Sequence, residues 1–144
     1  MTLAQMPDIS MDSIEASGYG LPPQGRYLCL LTIEPKDING KGNLEFTYVV
    51  QEAIEMADPT SQPPKAGAKF SELFSYEKGL PIAKEKLTKL AKGLDIPANA
   101  QLAEIVESVK SVGVELTLKH RNNPKGADPE KLYPSVPAST FKMA

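Results

Sequence analysis

Residues 25–52 read GRYLCLLTIEPKDINGKGNLEFTYVVQE and contain two alternating apolar runs separated by a turn sequence. In the first run, apolar side chains recur at every second position from residue 27 to residue 33, which is the period of a strand with one buried face. Residues 44–52 alternate in the same way. Asn39-Gly40 between them is the strongest short-range hairpin signal. This stretch therefore predicts a β-hairpin whose first strand is ended by Pro35.

Downstream, the period of the apolar residues changes to 3.6 and then returns to two. Residues 69–76 predict a short third strand, and residues 80–94 predict a helix with one apolar stripe. A second short helix is predicted over residues 100–109. Residues 112–119 alternate as a half-buried fourth strand, and residues 132–141 predict a last strand. The predicted order is three strands, a helical segment and two strands.

Composition limits the class of protein. The chain has 144 residues, of which 41% are hydrophobic and 24% charged, and this suits one globular domain. No apolar run approaches the roughly 18 residues of a membrane span. Residues 1–12 lack the basic and apolar regions of a secretory signal. Cys29 is the only cysteine, so no internal disulfide can form, and we expect a cytoplasmic protein.

Proline and charge are unevenly distributed. The 13 prolines, about twice the usual share, mark the seams between elements; Pro134 and Pro137 predict an edge position or a bulge for the last strand. The net charge of −2 argues against an all-round basic surface. However, residues 1–24 hold three acids and no base, which predicts an acidic, flexible leader before a domain over residues 25–144. Residues 110–144 contain six basic and three acidic residues, so this part of the chain is locally basic.

The predicted order is that of the OB-fold, a five-stranded Greek-key barrel with a helix between strands three and four, and other small mixed folds share this order. Over roughly residues 25–142 the chain also resembles phage-encoded single-stranded DNA-binding proteins and related phage OB-fold proteins. The matching pieces are Gly25-Arg26-Tyr27, residues 39–43, Leu44-Glu45-Phe46, Lys84-Glu85-Lys86-Leu87 with its run to Gly93-Leu94, and residues 112–119. The resemblance implies an all-β domain with one or two helices.

The resemblance also implies a function in replication, recombination or repair, without catalysis, in the cytoplasm of a host cell if the chain is phage-encoded. The expected ligand is single-stranded DNA, with RNA left open, and the expected partners are replication or recombination proteins. Many such proteins end in an acidic tail, whereas residues 139–144 contain no acid.

Binding of single strands without sequence preference needs a basic groove for phosphates and aromatic faces for bases. In an OB-fold, loops 1–2 and 4–5 and strands two and three line the groove. The candidates are Lys36 and Lys41 in loop 1–2, Tyr48 in strand two, Lys69, Phe70, Phe74 and Tyr76 in strand three, and Lys119, Arg121 and Lys125 near loop 4–5, with Tyr133 just beyond.

The aromatic candidates have a core alternative. Tyr27 shares a face with core residues, and Phe46 and Tyr48 alternate in phase with Leu44 and Val50, so core and groove both stay open for that pair. Phe70, Phe74 and Tyr76 lie on the same side as Glu72, and a face that carries a carboxylate is expected to be open to solvent. This predicts exposed rings in strand three.

The sequence gives no sign of an enzyme, a metal site or a cofactor. His120 has no second ligand at metal spacing and is expected at the rim of the core. Four lysines, Lys78, Lys86, Lys89 and Lys92, lie opposite the helix's apolar stripe and predict a solvated basic face. The alternatives are that this basic face extends the path of the DNA or meets an acidic neighbour. The competing interpretation is an OB-like interaction or assembly module that does not bind nucleic acid. The leader and the long proline-rich loop need a surface to pack on, which is compatible with a homodimer.

Overall fold

The computed structural model describes residues 21–97, 99–122, 124 and 129–144, and this part of the chain is mostly β-structure with two α-helices. The elements in chain order are β1 (Gly25–Ile38), β2 (Lys41–Met56), β3 (Lys69–Ser75), α1 (Leu80–Gly93), α2 (Leu102–Ser108), β4 (Val112–Asn122), β5 (Leu132–Ser135), a 3-10 turn (Ala138–Thr140) and β6 (Lys142–Met143). The predicted all-β class with helices between strands three and four is confirmed. None of the described helices is long and apolar enough to cross a membrane.

The β1–β2 hairpin is confirmed and is longer than predicted. Its register runs from Gly25 opposite Met56 to Ile38 opposite Lys41. The turn residues Asn39 and Gly40 both have positive φ, 52° and 79°, as a two-residue turn of the type I′ family requires. The turn therefore sets the register as far as Cys29 opposite Val50, and the register then shifts between Leu28 and Cys29 and again between Arg26 and Tyr27.

Pro35 does not end β1, contrary to the sequence prediction, and instead lies opposite Leu44 within the hairpin. The backbone N–H of Ile33 points away from β2, since it donates to the Val109 carbonyl at 3.0 Å. At residue 35, two positions further along the strand, a backbone N–H would point to the same side as that of Ile33. β4 no longer pairs with β1 there, because the last β4 partner of β1 is Val112. Proline is tolerated there because no ladder bond is lost.

All strand pairs are antiparallel, and hydrogen-bonded neighbours follow the order β3-β2-β1-β4-β5, with β6 also paired to β4. The inward faces and the apolar stripe of α1 form one core, in which Tyr27 is fully buried as predicted. Cys29 and Phe46 are fully buried as well, so the core alternative holds for Phe46. The sheet thus runs as one continuous path that begins at β3 and ends at β5.

The last predicted strand, residues 132–141, is divided, and this raises the number of described strands from the expected five to six. Pro134 lies in β5, opposite His120, at the end of the sheet path. Pro137 immediately precedes the 3-10 turn. Lys89 holds this turn in place, because the Nζ of Lys89 donates to the carbonyls of Ala138 and Phe141 at 2.5 and 2.9 Å. Lys89 is therefore half-buried, not solvated as predicted.

Residues 21–24 pack on the sheet. The Tyr27 hydroxyl donates to the Pro23 carbonyl at 2.5 Å, and the His120 backbone N–H donates to the Gln24 side chain at 2.8 Å. The imidazole Nε2 of His120 lies 2.7 Å from the Pro22 carbonyl, which agrees with the predicted place of His120 at the rim of the core. The rest of the predicted leader, residues 1–20, lies outside the described residues.

The two ends of the sheet path meet at a nearly buried carboxylate. Glu72 on β3 accepts hydrogen bonds at Oε1 from the Tyr48 hydroxyl and from Lys86 Nζ, both at 2.9 Å. Its Oε2 accepts the backbone N–H of Val136, the residue after β5, at 3.2 Å. The side chains of Lys86 and Glu72 are only 4% and 10% exposed. Glu72 therefore links β3, β2, α1 and the chain after β5.

This arrangement corrects two sequence expectations. The face of β3 that carries Glu72 is buried rather than open, because Lys86 and Tyr48 replace the water that a carboxylate needs. Lys86 is buried rather than solvated, with its charge balanced by Glu72 and its Nζ 5.2 Å from the centre of the Phe74 ring. Glu72 and Lys86 were both expected at the surface, and each is the partner that allows the other to be buried.

We predict that Glu72→Gln lowers the free energy of unfolding by about 3 kcal/mol or more, because it leaves the Lys86 charge buried without a counter-ion. Urea denaturation measures the loss. The control is Glu45→Gln, which breaks the exposed Lys36–Glu45 ion pair of 2.9 Å and should cost less than about 1 kcal/mol. Equal losses in the two variants would contradict the structural role of Glu72.

Candidate nucleic-acid interface

Three of the four aromatic candidates are core residues. Tyr48 is fully buried and stacks on Phe70, with ring centres 4.9 Å apart and planes inclined by 18°. Phe74 meets Phe46 edge-on at the same centre distance. Phe70 and Phe74 are only 4% and 7% exposed. The predicted exposure of Phe70 and Phe74 is wrong, and for Tyr48 the core alternative holds, so none of the three presents a free ring face to a base.

The outward positions of β2 and β3, two strands that are described in full, carry no aromatic side chain. They include Thr47, Val49 and Leu73. Base stacking on the middle of this surface therefore has no platform, and the exposed rings must be sought at its margins.

Two tyrosines do present exposed rings. Tyr76, predicted as part of strand three, lies just after β3 and is 44% exposed. Its ring lies against Gly42, where a Cβ atom would overlap it, and its backbone N–H donates to the Gly42 carbonyl at 3.1 Å. Tyr133 is 36% exposed, lies opposite Arg121 in the β4–β5 pair, and has Lys131 Nζ 5.3 Å from its ring centre.

The basic candidates differ in how far their charges are neutralised. Lys36 forms an ion pair with Glu45. Lys41, Lys69, Lys119 and Arg121 are exposed, and no acidic side chain within the described ranges forms an ion pair with them. Lys125 lies outside the described residues. The free cations are therefore distributed over the ends of several strands.

One cleft brings the predicted cation Arg121 together with Lys78 of the predicted basic face and with residues that the sequence did not single out. It has a volume of about 530 Å³ and lies between the β3–α1 connection and the β4–β5 pair. Arg121 enters it from β4, and Lys78 enters it from the turn before α1. Leu73 and Ile82, both exposed, and Ser135 contribute to its walls. The convergence of Lys78 with Arg121 depends on tertiary structure, so no sequence signal could have found it.

The cleft carries an excess of positive charge. Of the residues that line it, only Glu72 has a carboxylate, and Lys86 balances that charge. Lys78 and Arg121 remain uncompensated there. Helix α1 begins at the cleft after Gly79, without a side-chain cap and without an acid in its first turn. Its N-terminal dipole therefore adds to the positive potential, and the cleft is suited to an anion.

Other chemistry is sparse in the described part of the chain. Within it, no three His, Cys, Asp or Glu side chains come together in a group that could hold a metal ion. Burial raises the pKa of the Cys29 thiol to about 12, so this thiol is protonated and unreactive near neutral pH.

The comparisons with known proteins give no family. Neither a scan against protein-family models nor a search of curated proteins finds a match for this chain. Functional inference therefore depends on the geometry of the cleft and its surroundings.

We predict that the free energy of unfolding falls as the pH rises from about 9 towards 12. The Cys29 pKa is 9.0 ordinarily and about 12 in the fold, and burial likewise raises the Tyr27 pKa from 10.0 to about 12. Because the unfolded chain loses these protons first, the stabilisation is complete below the ordinary pKa and is lost above it. Urea denaturation over this pH range tests it, with Cys29→Ala as the control. An identical pH slope in that variant would exclude the thiol as a cause.

Proposed function

We propose that this protein binds single-stranded DNA through an OB-like barrel, with RNA as the alternative ligand. The strand order β3-β2-β1-β4-β5 supports the barrel, because an OB-fold is a partly open five-stranded barrel. The contact between Glu72 on β3 and Val136 after β5 supports it further, since it brings the two ends of the sheet path together. The barrel and the ligand are proposed together, for work in replication, recombination or repair without catalysis.

The observation that carries the proposal is the meeting of Lys78 and Arg121 in one open cleft without an uncompensated acid. Two cations fixed on different elements favour a ligand with successive negative charges, and a phosphate backbone is such a ligand. Lys41, Lys69 and Lys119 would extend the contact with phosphates beyond the cleft. Lys36 would contribute less, because Glu45 already pairs with it.

The base contacts are assigned to the exposed rings instead of the buried ones. Tyr76 and Tyr133 replace Tyr48, Phe70 and Phe74 as stacking platforms. Stacking on an aromatic ring tolerates every base and contributes about 1–3 kcal/mol for each base. This gives binding with little sequence preference.

We predict that a fluorescent oligo-dT binds the full chain with an affinity that falls steeply with salt. The double variant Lys78→Ala/Arg121→Ala should bind more weakly and reduce the slope of log K against log salt by about 1.4, at about 0.7 for each lost phosphate contact. Fluorescence anisotropy at several salt concentrations measures both.

The matched control for that prediction is Lys84→Ala/Lys92→Ala, which removes two exposed cations of α1 that do not line the cleft. It should leave the slope nearly unchanged. Absence of binding by the unaltered chain at low salt would refute the proposed function. Equal slopes in the two double variants would remove the cleft from the interface.

We also predict that Tyr76→Ala and Tyr133→Ala each weaken oligo-dT binding by about 5- to 150-fold, the range that corresponds to the loss of one stacked base. Ile54→Ala is the control, because Ile54 is an exposed apolar residue at the far end of β2. Full affinity in both tyrosine variants would exclude them as stacking platforms.

A protein-interaction or assembly module is the second candidate, and a specific observation favours it. The described surface exposes seven large hydrophobic side chains: Ile38, Ile54, Leu73, Tyr76, Ile82, Leu132 and Tyr133. Such residues suit a protein partner, including a second copy of the chain. Lack of retention on single-stranded DNA resin at low salt, together with a homodimer in light scattering, would favour this candidate over the first.

A further inference from the structure

The lining of the cleft combines cationic and aliphatic side chains, and this suggests a more specific ligand than a phosphate chain alone. Lys78 lies on the β3–α1 side of the cleft, and Arg121 lies on the β4 side. The aliphatic side chains are those of Leu73 and Ile82 on the β3–α1 side, and Ile82 is 70% exposed. A large apolar side chain with so much exposed surface beside two uncompensated cations fits a ligand with an anionic end and a flat apolar face.

The dimensions and polar groups of the cleft agree with a small ligand. Its volume of about 530 Å³ lies in the range of roughly 300–1,000 Å³ that is typical of small-molecule sites. Ser135 and Asn43 add polar atoms to the lining. The Asn43 side-chain nitrogen donates to the Lys41 carbonyl at 3.1 Å, so the amide oxygen of Asn43 is left as an acceptor. One nucleotide has the matching parts: a phosphate, a flat base and polar groups on the base edge.

The electrostatics at the start of α1 favour a bound anion. Lys78 precedes the helix by two residues, and a cation near a helix N-terminus is unfavourable because it adds to the positive end of the dipole. No acid in the first turn offsets it. A phosphate between Lys78 and Arg121 would relieve this repulsion, whereas a neutral ligand would not.

We propose that the cleft is a subsite for one unstacked nucleotide of the bound strand, with its phosphate between Lys78 and Arg121 and its base against Leu73 and Ile82; this inference rests on the proposed single-strand binding. A base paired in a duplex cannot turn into the cleft without being unstacked and unpaired. The subsite therefore selects single strands over duplexes, and it should bind a free nucleoside monophosphate.

The test compares dTMP, thymidine and inorganic phosphate as probes of the full chain, followed by amide chemical shifts in NMR titrations. We expect dTMP to bind at least about tenfold more tightly than either of its parts. The responding amides should be those of cleft residues such as Leu73, Ser75, Ile82 and Ser135. Two variants separate the contribution of the aliphatic side chains from that of the cations. Ile82→Ser should weaken dTMP binding severalfold without changing phosphate binding, and Arg121→Gln should weaken both.

The matched control is Ile54→Ser, the same substitution at an exposed position outside the cleft. It should change neither the binding of dTMP nor the binding of phosphate. Binding of oligo-dT is measured in parallel, so the two proposals fail separately. If oligo-dT binds and the cleft amides do not respond to dTMP, or respond to phosphate equally well, the subsite is refuted and the proposed function stands. If oligo-dT does not bind, the proposed function fails as well. A response to an acetylated Glu-Leu-Glu-Leu peptide but not to dTMP would assign the cleft to a protein partner and overturn the subsite.

Discussion

The structure depends on one nearly buried carboxylate. Glu72 holds a hydroxyl from β2, an ammonium from α1 and a backbone N–H from the residue after β5. A buried charge is tolerated only where a counter-ion and hydrogen bonds replace its water, and all of these are present. Because its partners come from parts of the chain that are distant in sequence, Glu72 fixes how the first and last strands of the sheet path approach one another.

The way in which these two strands approach one another determines which side chains are exposed as well as which are buried. With Glu72 turned inward, the rings of Phe70 and Phe74 follow it and pack on Tyr48 and Phe46. The same approach brings the β4–β5 pair to the start of α1, and the cleft is the space between them. Lys86 would add a third free charge to this space, but Glu72 neutralises it. The interaction that holds the sheet together therefore also sets the number of free cations in the cleft.

Local patterns in the sequence were enough to predict the hairpin, the helices and the order of the strands, because alternation and the Asn39-Gly40 turn act over a few residues. Long-range partners were not predictable. A glutamate in an apolar face indicates solvent unless its counter-ion is known, and Lys86 belongs to a different element. Pro35 indicates the end of a strand unless the direction of its missing N–H is known. Of the candidate site, Tyr76 and Arg121 were identified from the sequence, and Lys78 was placed on a basic face for which a DNA path was one alternative. The convergence of Lys78 with Arg121 and the place of Ile82 required the tertiary fold.

The place of Pro35 has a consequence for how these molecules meet each other. Beyond Ile33, the β1 side of the hairpin has no described neighbour in the sheet, and such a bare edge is where chains add strand to strand and aggregate. An approaching strand would find no donor at Pro35, so the ladder would be interrupted at once. The tip of the hairpin can therefore project from the sheet without becoming a template for polymerisation.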